Sequence, residues 1–195
     1  MIVTIRHDEE SPILPKAPIG AADAAYFEHI RGIRGVALIS YTPLWVQTAK
    51  GPPIPVIVVE RRLFDLLGVK VTPRHRDRSC PPNACRTLLG AEARYRLGRA
   101  REVYLSDGTK LIPDGVLDPV PLAIWPVGMH LNGAVLLVRT RAEMAREGGS
   151  CLLLDSRLAP EELRLLVARH FGASYPGRAV PSIERPKFWS DEGHG

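Results

Sequence analysis

Hydrophobic and polar positions along this chain change period several times, and each change marks an element. IVTIR (2–6) reads as a short strand. AADAAYFEHIRGI (21–33) reads as a helix with Tyr26, Phe27, Ile30 and Ile33 inward. VALISYTPLWVQTA (36–49) alternates as a strand does, with Pro43 as a break or edge marker. VIVV runs into ERRLFDLLG (60–68), a strand followed by a short helix that stops at Gly68. Helical spacing of Cys85, Leu88, Leu89, Ala93, Leu97 and Ala100 predicts a helix over 83–100, with Asn83 as its N-cap. REVYL and KLIPDGVL flank SDGT (106–109), the composition of a hairpin turn.

AVLLVR (134–139) and CLLLD (151–155) are apolar enough to be buried strands. Between them TRAEMARE (140–147) carries Thr140 and Glu143 at capping-box spacing and predicts a helix. PEELRLLVARHFG (160–172) is the clearest helix: Pro160 lies in its first turn, two glutamates complement the dipole, and Gly172 marks its end. These elements predict an α+β fold: a single compact domain with a mixed or antiparallel sheet and three to five helices. The expected division is an N-terminal strand and proline-rich arm (1–19), a core (20–172) and a proline-rich C-terminal arm (173–195). In the second arm Tyr175, Phe188 and Trp189 are wasted in solvent unless they bind a partner, so they are expected to dock on another subunit.

Composition changes this picture little, and charge changes it more. The net charge of +5 is unevenly placed. Within 61–101 ten arginines and Lys70 meet only Asp65, Asp77 and Glu92, a local +8 that leaves the rest of the chain at −3. A local field of this kind attracts anions. The uncharged run 119–138 is long enough to span a membrane, but Pro119, Pro121 and Pro126 argue against one continuous helix, and no membrane association is expected. MIVTIRHDEE turns acidic too early for a secretory signal, and three cysteines make no disulfide framework. A cytoplasmic or virion location is the expectation.

RHRDRSCPPNACR (74–86) concentrates the candidate chemistry. His75, Cys80 and Cys85 could supply three zinc ligands, with Cys151 or another histidine closing the site. Cys85, in the first turn of a helix and near Arg78 and Arg86, would have a lowered thiol pKa; a buried, inert cysteine is the plainer reading. Arg74, Arg76 and Arg78 alternate, which places them on one side of an extended segment. Arg86, Arg94 and Arg101 follow at intervals of eight and seven, near one face of the predicted helix. Guanidinium forks from two elements would then converge on one anionic surface, with phosphate as a natural match.

Helix 83–100, three strands, a helix and a last strand, together with Pro113-Asp114 and Glu92, resemble the αβββαβ core of PD-(D/E)XK nuclease-like proteins over about 75 residues. The resemblance implies a divalent metal such as magnesium held by Asp114 and Glu92, with Asp118 nearby. LLVRTR (136–141) lacks the acid and lysine of that family's second motif, which implies a degenerate relative that handles nucleic acid.

The favoured expectation is a non-enzymatic binding or assembly subunit without a cofactor. Arg74, Arg76, Arg78, Arg86, Arg94 and Arg101 would contact nucleic acid or an acidic protein surface, and the terminal arms would contact other subunits, as in a phage virion or nucleoprotein complex. A metal-dependent nuclease and a zinc-stabilised module stand as alternatives.

Overall fold

The computed structural model describes residues 1–7, 14–48, 51–73, 86–120, 122–123, 130–147, 149–185 and 187–188. In chain order the first elements are β1 (Ile2–Arg6), α1 (Ala21–Glu28), β2 (Ile33–Val46), β3 (Ile54–Glu60), α2 (Arg62–Leu67) and β4 (Val71–Pro73). Then come β5 (Thr87–Leu89), α3 (Ala91–Leu97), β6 (Val103–Tyr104), β7 (Lys110–Leu111), β8 (Gly115–Leu117) and β9 (Leu122–Ala123). A 3-10 turn at Leu131–Gly133 leads to β10 (Val135–Arg139), α4 (Arg141–Glu147), β11 (Cys151–Ser156), α5 (Pro160–Ser174), β12 (Ser182–Glu184) and β13 (Lys187–Phe188). The fold is α+β, with a mixed sheet and five helices among the described residues, as the sequence predicts. The chain forms two compact units, residues 1–40 with 140–186 and residues 41–139 with 187–195.

In the first unit the strand order is β12-β1-β11-β2, antiparallel throughout. Cys151, Leu152, Leu153 and Leu154 of β11 are fully buried, so this strand has no solvated face. Its backbone groups pair on one side with β1, where Val3 faces Leu154 and Ile5 faces Leu152. On the other side Leu38 of β2 faces Leu152. Phe27 of α1 and Leu163, Val167 and Phe171 of α5 are buried in the same unit. The four-residue spacing on α5 gives one apolar stripe, as expected for a helix with one covered side. The helix continues through Gly172 to Ser174, past the predicted stop. Helix α1 is shorter than predicted and ends at Glu28.

The predicted capping box of α4 is present: the Thr140 amide donates to Glu143 Oε2 at 2.8 Å and the Glu143 amide donates to Thr140 Oγ1 at 3.3 Å. Residues 2–6, expected as a strand, and residues 182–184 both pair within this sheet. The Arg6 guanidinium fastens the edge strand by a forked contact with Glu184, Nε to Oε2 at 3.0 Å and Nη2 to Oε1 at 2.6 Å.

In the second unit the order is β3-β10-β5-β8-β4. β3 and β10 are parallel, β10 and β5 antiparallel, β5 and β8 parallel, and β8 and β4 antiparallel. Val56 to Val59 and Val135 to Val138 are buried and run side by side, the pattern of parallel strands covered on both faces. The last six residues of β2 belong to this unit, where Thr42 Oγ1 donates to the Val56 carbonyl at 3.1 Å. Helix α2 stops where the sequence places its stop, at Gly68 with φ 63. Among the described residues no helix is long and apolar enough to cross a membrane.

The predicted helix over 83–100 is corrected. Residues 83–85 lie outside the described residues, 87–89 are strand β5, and only 91–97 are helical. Leu88 and Leu89 are 1% and 0% exposed. Neighbouring positions on a helix point about 100° apart and rarely share full burial, whereas a central strand can cover both. Burying a leucine contributes about 1.5–3 kcal/mol, while helix preference among ordinary residues spans about 0.7 kcal/mol, so burial decides the conformation.

Gly90 makes the strand-to-helix change. Its amide donates to the Ala134 carbonyl at 2.9 Å, and a Cβ there would lie well inside contact distance of the Leu131 and Asn132 carbonyls. Gly90→Ala is therefore expected to lower stability by about 1–3 kcal/mol, read from the urea midpoint, whereas Gly98→Ala meets no atom within 4 Å and tests backbone strain alone at φ 59.

Candidate functional site

Of the arginines expected to share one surface, the three described ones lie at different points of the chain's elements. Arg74, Arg76 and Arg78 lie outside the described residues, as do the candidate zinc ligands His75, Cys80 and Cys85. Arg86 immediately precedes β5, Arg94 lies on α3 and Arg101 lies beyond that helix. Without a helix over 83–100, the intervals of eight and seven no longer define a face. Arg94 Nη1 donates to the Gly98 carbonyl and so closes the end of its own helix. Arg101 is exposed.

The three carboxylates proposed to hold a metal are likewise engaged separately. Asp114 Oδ2 accepts from the backbone amides of Arg86 at 2.8 Å and Thr87 at 3.0 Å, and the Asp114 amide donates to the Thr87 carbonyl at 2.8 Å. These bonds tie the loop before β8 to the start of β5. Glu92, in the first turn of α3, lies 3.6 Å from His130 Nε2. Asp118 accepts from Thr72 Oγ1 at 3.4 Å. Among the described residues no group of three or more histidines, cysteines or carboxylates could hold a metal ion. Asp114→Ala removes the acceptor of two charge-assisted hydrogen bonds and is expected to cost about 2 kcal/mol of stability by chemical denaturation.

Tyr175 has an internal partner. Its hydroxyl donates to the Asp23 carboxylate, 3.3 Å from each oxygen. Asp23 is 1% exposed and also meets His170 Nε2 at 2.8 Å and the Gly20 amide at 2.8 Å. The His170 ring stacks on Tyr26 at 3.9 Å, with Phe27 and Phe171 at its edges. This cluster joins α1 to α5 across 147 positions of sequence. Sequence reasoning missed it, because no local pattern links His170 to a carboxylate 147 positions away. The available signal was Asp23 on the same helical face as Phe27, four residues on.

Burial, followed by the charge of Asp23 and the hydrogen bond to it, pushes the Tyr175 phenol above its ordinary value. The raised value means that the folded state favours the neutral phenol. That contribution is complete below the unfolded pKa of about 10 and is lost as pH rises through the folded value. Stability should fall with pH from about 10 upward, and Tyr175→Phe should flatten that fall in pH-dependent melting curves.

Phe188 belongs to β13, where it pairs with Leu122 of β9; Trp189 lies outside the described residues. At the end of β11, Asp155 is pulled in two directions. Burial acts to raise its pKa, but hydrogen bonds from Arg34 at 2.5 Å and the Met1 amino group at 3.3 Å outweigh that and hold the carboxyl below its usual value.

One exposed surface of the second unit carries both aromatic side chains and a fixed geometry. β6 and β7 pair Tyr104 with Lys110 and Val103 with Leu111. The turn is held by Leu105 amide to Thr109 carbonyl at 2.9 Å, Gly108 amide to Leu105 carbonyl at 2.9 Å, and Thr109 amide to Asp107 Oδ1 at 2.9 Å. Val46 of β2 bridges Leu105, and the Ser106 amide donates to the Trp45 carbonyl at 2.8 Å. Val103, Leu105 and Val46 are buried, so strand alternation places Trp45, Tyr104 and Ile112 on the opposite, outward face. They are 44%, 54% and 48% exposed. On this face Glu102 accepts from the Tyr104 hydroxyl at 3.1 Å and from Lys110 Nζ at 3.1 Å. The Lys110 hydrogen bond chiefly holds the Glu102 carboxyl below its ordinary value, and the same contact raises Lys110.

No family model and no curated protein matches the chain. Solved structures do. The periplasmic region of MacB from Actinobacillus actinomycetemcomitans aligns with a TM-score of 0.57 at 10% identity, over 94% of this chain and 87% of that one. The extracellular domain of the ABC-type transporter YknZ from Gram-positive bacteria aligns at 0.57 and 11% identity, over 95% and 99%. A domain assigned to a permease protein of Porphyromonas gingivalis aligns at 0.51 and 14% identity, over 98% and 92%. At these identities the likeness is one of fold.

That likeness overturns several expectations at once. A whole-length match to periplasmic, extracellular and permease domains replaces the nucleic-acid-binding or phage assembly subunit, and it displaces the PD-(D/E)XK core as the relevant fold. The cytoplasmic or virion location falls with it, as do nucleic acid, an acidic protein surface and arm-recruited subunits as partners. The physical origin of the error is the assumed helix 83–100, which supplied both the arginine face and the first helix of the nuclease-like order.

Proposed function

We propose that the chain is an extracytoplasmic domain of an ABC-type transporter, acting through contacts with other transporter components and not through catalysis. The observation that carries this reading is coverage in both directions: 94–98% of this chain aligns with 87–99% of three domains from MacB, YknZ and a permease protein. A domain so matched leaves little room for an inserted catalytic module. The internal chemistry supports the same reading. Asp23, Asp114 and Asp118 accept hydrogen bonds from their own chain, and the acid and imidazole groups of the Asp23–His170 cluster join two helices. Side chains spent on internal ties stabilise a display surface and do not present a reacting group to solvent.

Protease accessibility in intact cells tests the location. After the cell envelope is opened without lysis, added protease should digest the tagged full chain while a cytoplasmic marker stays intact. Protection of the chain to the same degree as the marker refutes the extracytoplasmic reading.

A further inference from the structure

We propose that the rim of the second unit's sheet, where β3 and β10 end and β5 begins, binds a phosphate-class oxyanion through Arg61, Arg62, Arg86 and Arg139. The proposal does not depend on the transporter reading.

Topology gathers these residues from three separate segments. β3 and β10 run parallel, so their last residues, Glu60 and Arg139, are neighbours in register. The Arg61 amide donates to the Arg139 carbonyl at 3.1 Å, and the Val138 amide donates to the Arg86 carbonyl at 2.7 Å. Arg62 opens α2 directly after Arg61. Paired strands lie about 4.8 Å apart, a distance that an arginine side chain spans. The ladder between β5 and β10 also ends irregularly at this rim. In a regular antiparallel rung the Arg86 amide would return a bond to the Val138 carbonyl. Here it turns to Asp114 Oδ2, and Arg139 Nη1 donates to the Val138 carbonyl at 3.2 Å. The Arg139 guanidinium therefore lies on the β5 side of its strand, beside Arg86. Of the arginines picked out by sequence spacing, Arg86 alone among the described ones belongs to this rim.

Charge at the rim is unbalanced. Like charges held this close repel. Glu60, 3% exposed, and Asp114 share the rim, and Asp65 lies in the first turn of α2, so four guanidiniums meet three carboxylates. Asp114 Oδ2 is taken by two backbone amides. Each guanidinium has five N–H donors, so a partner within the chain does not exhaust it. Arg62 and Arg86 are exposed and Arg61 and Arg139 half-buried, which leaves the rim open to an anion from solvent. A tetrahedral oxyanion accepts forked pairs from several guanidiniums together and offsets the excess charge. Phosphate, as a free ion or as a lipid headgroup, supplies that chemistry.

Isothermal titration of the full chain with inorganic phosphate, at an ionic strength held constant with chloride, tests the site. Saturable binding is expected. Arg62→Gln with Arg86→Gln should weaken it by about tenfold or more, since each removes a charged donor. Arg99→Gln with Arg101→Gln removes the same charge from exposed positions beyond α3 and should leave it unchanged. Melting curves of both double variants should match the parent, because all four side chains are exposed. Should the rim pair fail to fold, Arg62→Gln alone weakens binding in the same direction. A chain without saturable binding overturns the proposal, and so does equal weakening by both pairs. Flotation with phosphatidylglycerol vesicles identifies the source of the phosphate. Flotation abolished both by inorganic phosphate and by the rim pair assigns a lipid headgroup. Phosphate binding with no flotation, or with flotation that survives the rim pair, assigns a free oxyanion.

Discussion

A strand that is apolar on both faces can satisfy its backbone only along its two edges, and this constraint organises both units. β11 is buried from Cys151 to Leu154, so its amides and carbonyls must be met by β1 on one side and β2 on the other. β10 has the same requirement and is met by β3 and β5. The consequences reach far along the chain. Pairing with β11 draws residues 2–6 into the interior of a sheet, and β1 then takes β12 on its free edge. Pairing with β10 turns residues 87–89 into a strand although their spacing suits a helix. An unpaired amide in such a place costs about 1–3 kcal/mol, more than any local preference among those residues.

What the sequence revealed follows the same division between local and distant causes. The capping box of Thr140 and Glu143, the stop at Gly68, the proline start of α5 and the SDGT turn are each decided by a few adjacent residues, and each is where the pattern places it. Runs such as AVLLVR and CLLLD were legible as strands because no other element buries so many consecutive apolar groups. β5 was not legible, since its identity is set by β10, nearly fifty residues later. The Asp23 cluster was hidden for the same reason: His170 at a helix end has a sufficient local explanation, and only the packing of α1 on α5 supplies its carboxylate. Asp114 shows a subtler failure. A Pro-Asp-Gly sequence is compatible with metal binding, but here the carboxylate accepts from the Arg86 and Thr87 amides at the start of β5, a nearer demand.

The polar groups of this protein therefore divide by what they face. Asp23, Asp114, Glu143 and Glu184 meet donors of their own chain, and these contacts hold helix ends, a strand start and a sheet edge. Such groups rigidify the fold. A domain built this way is suited to presenting a surface of fixed shape, which agrees with a fold shared with transporter domains.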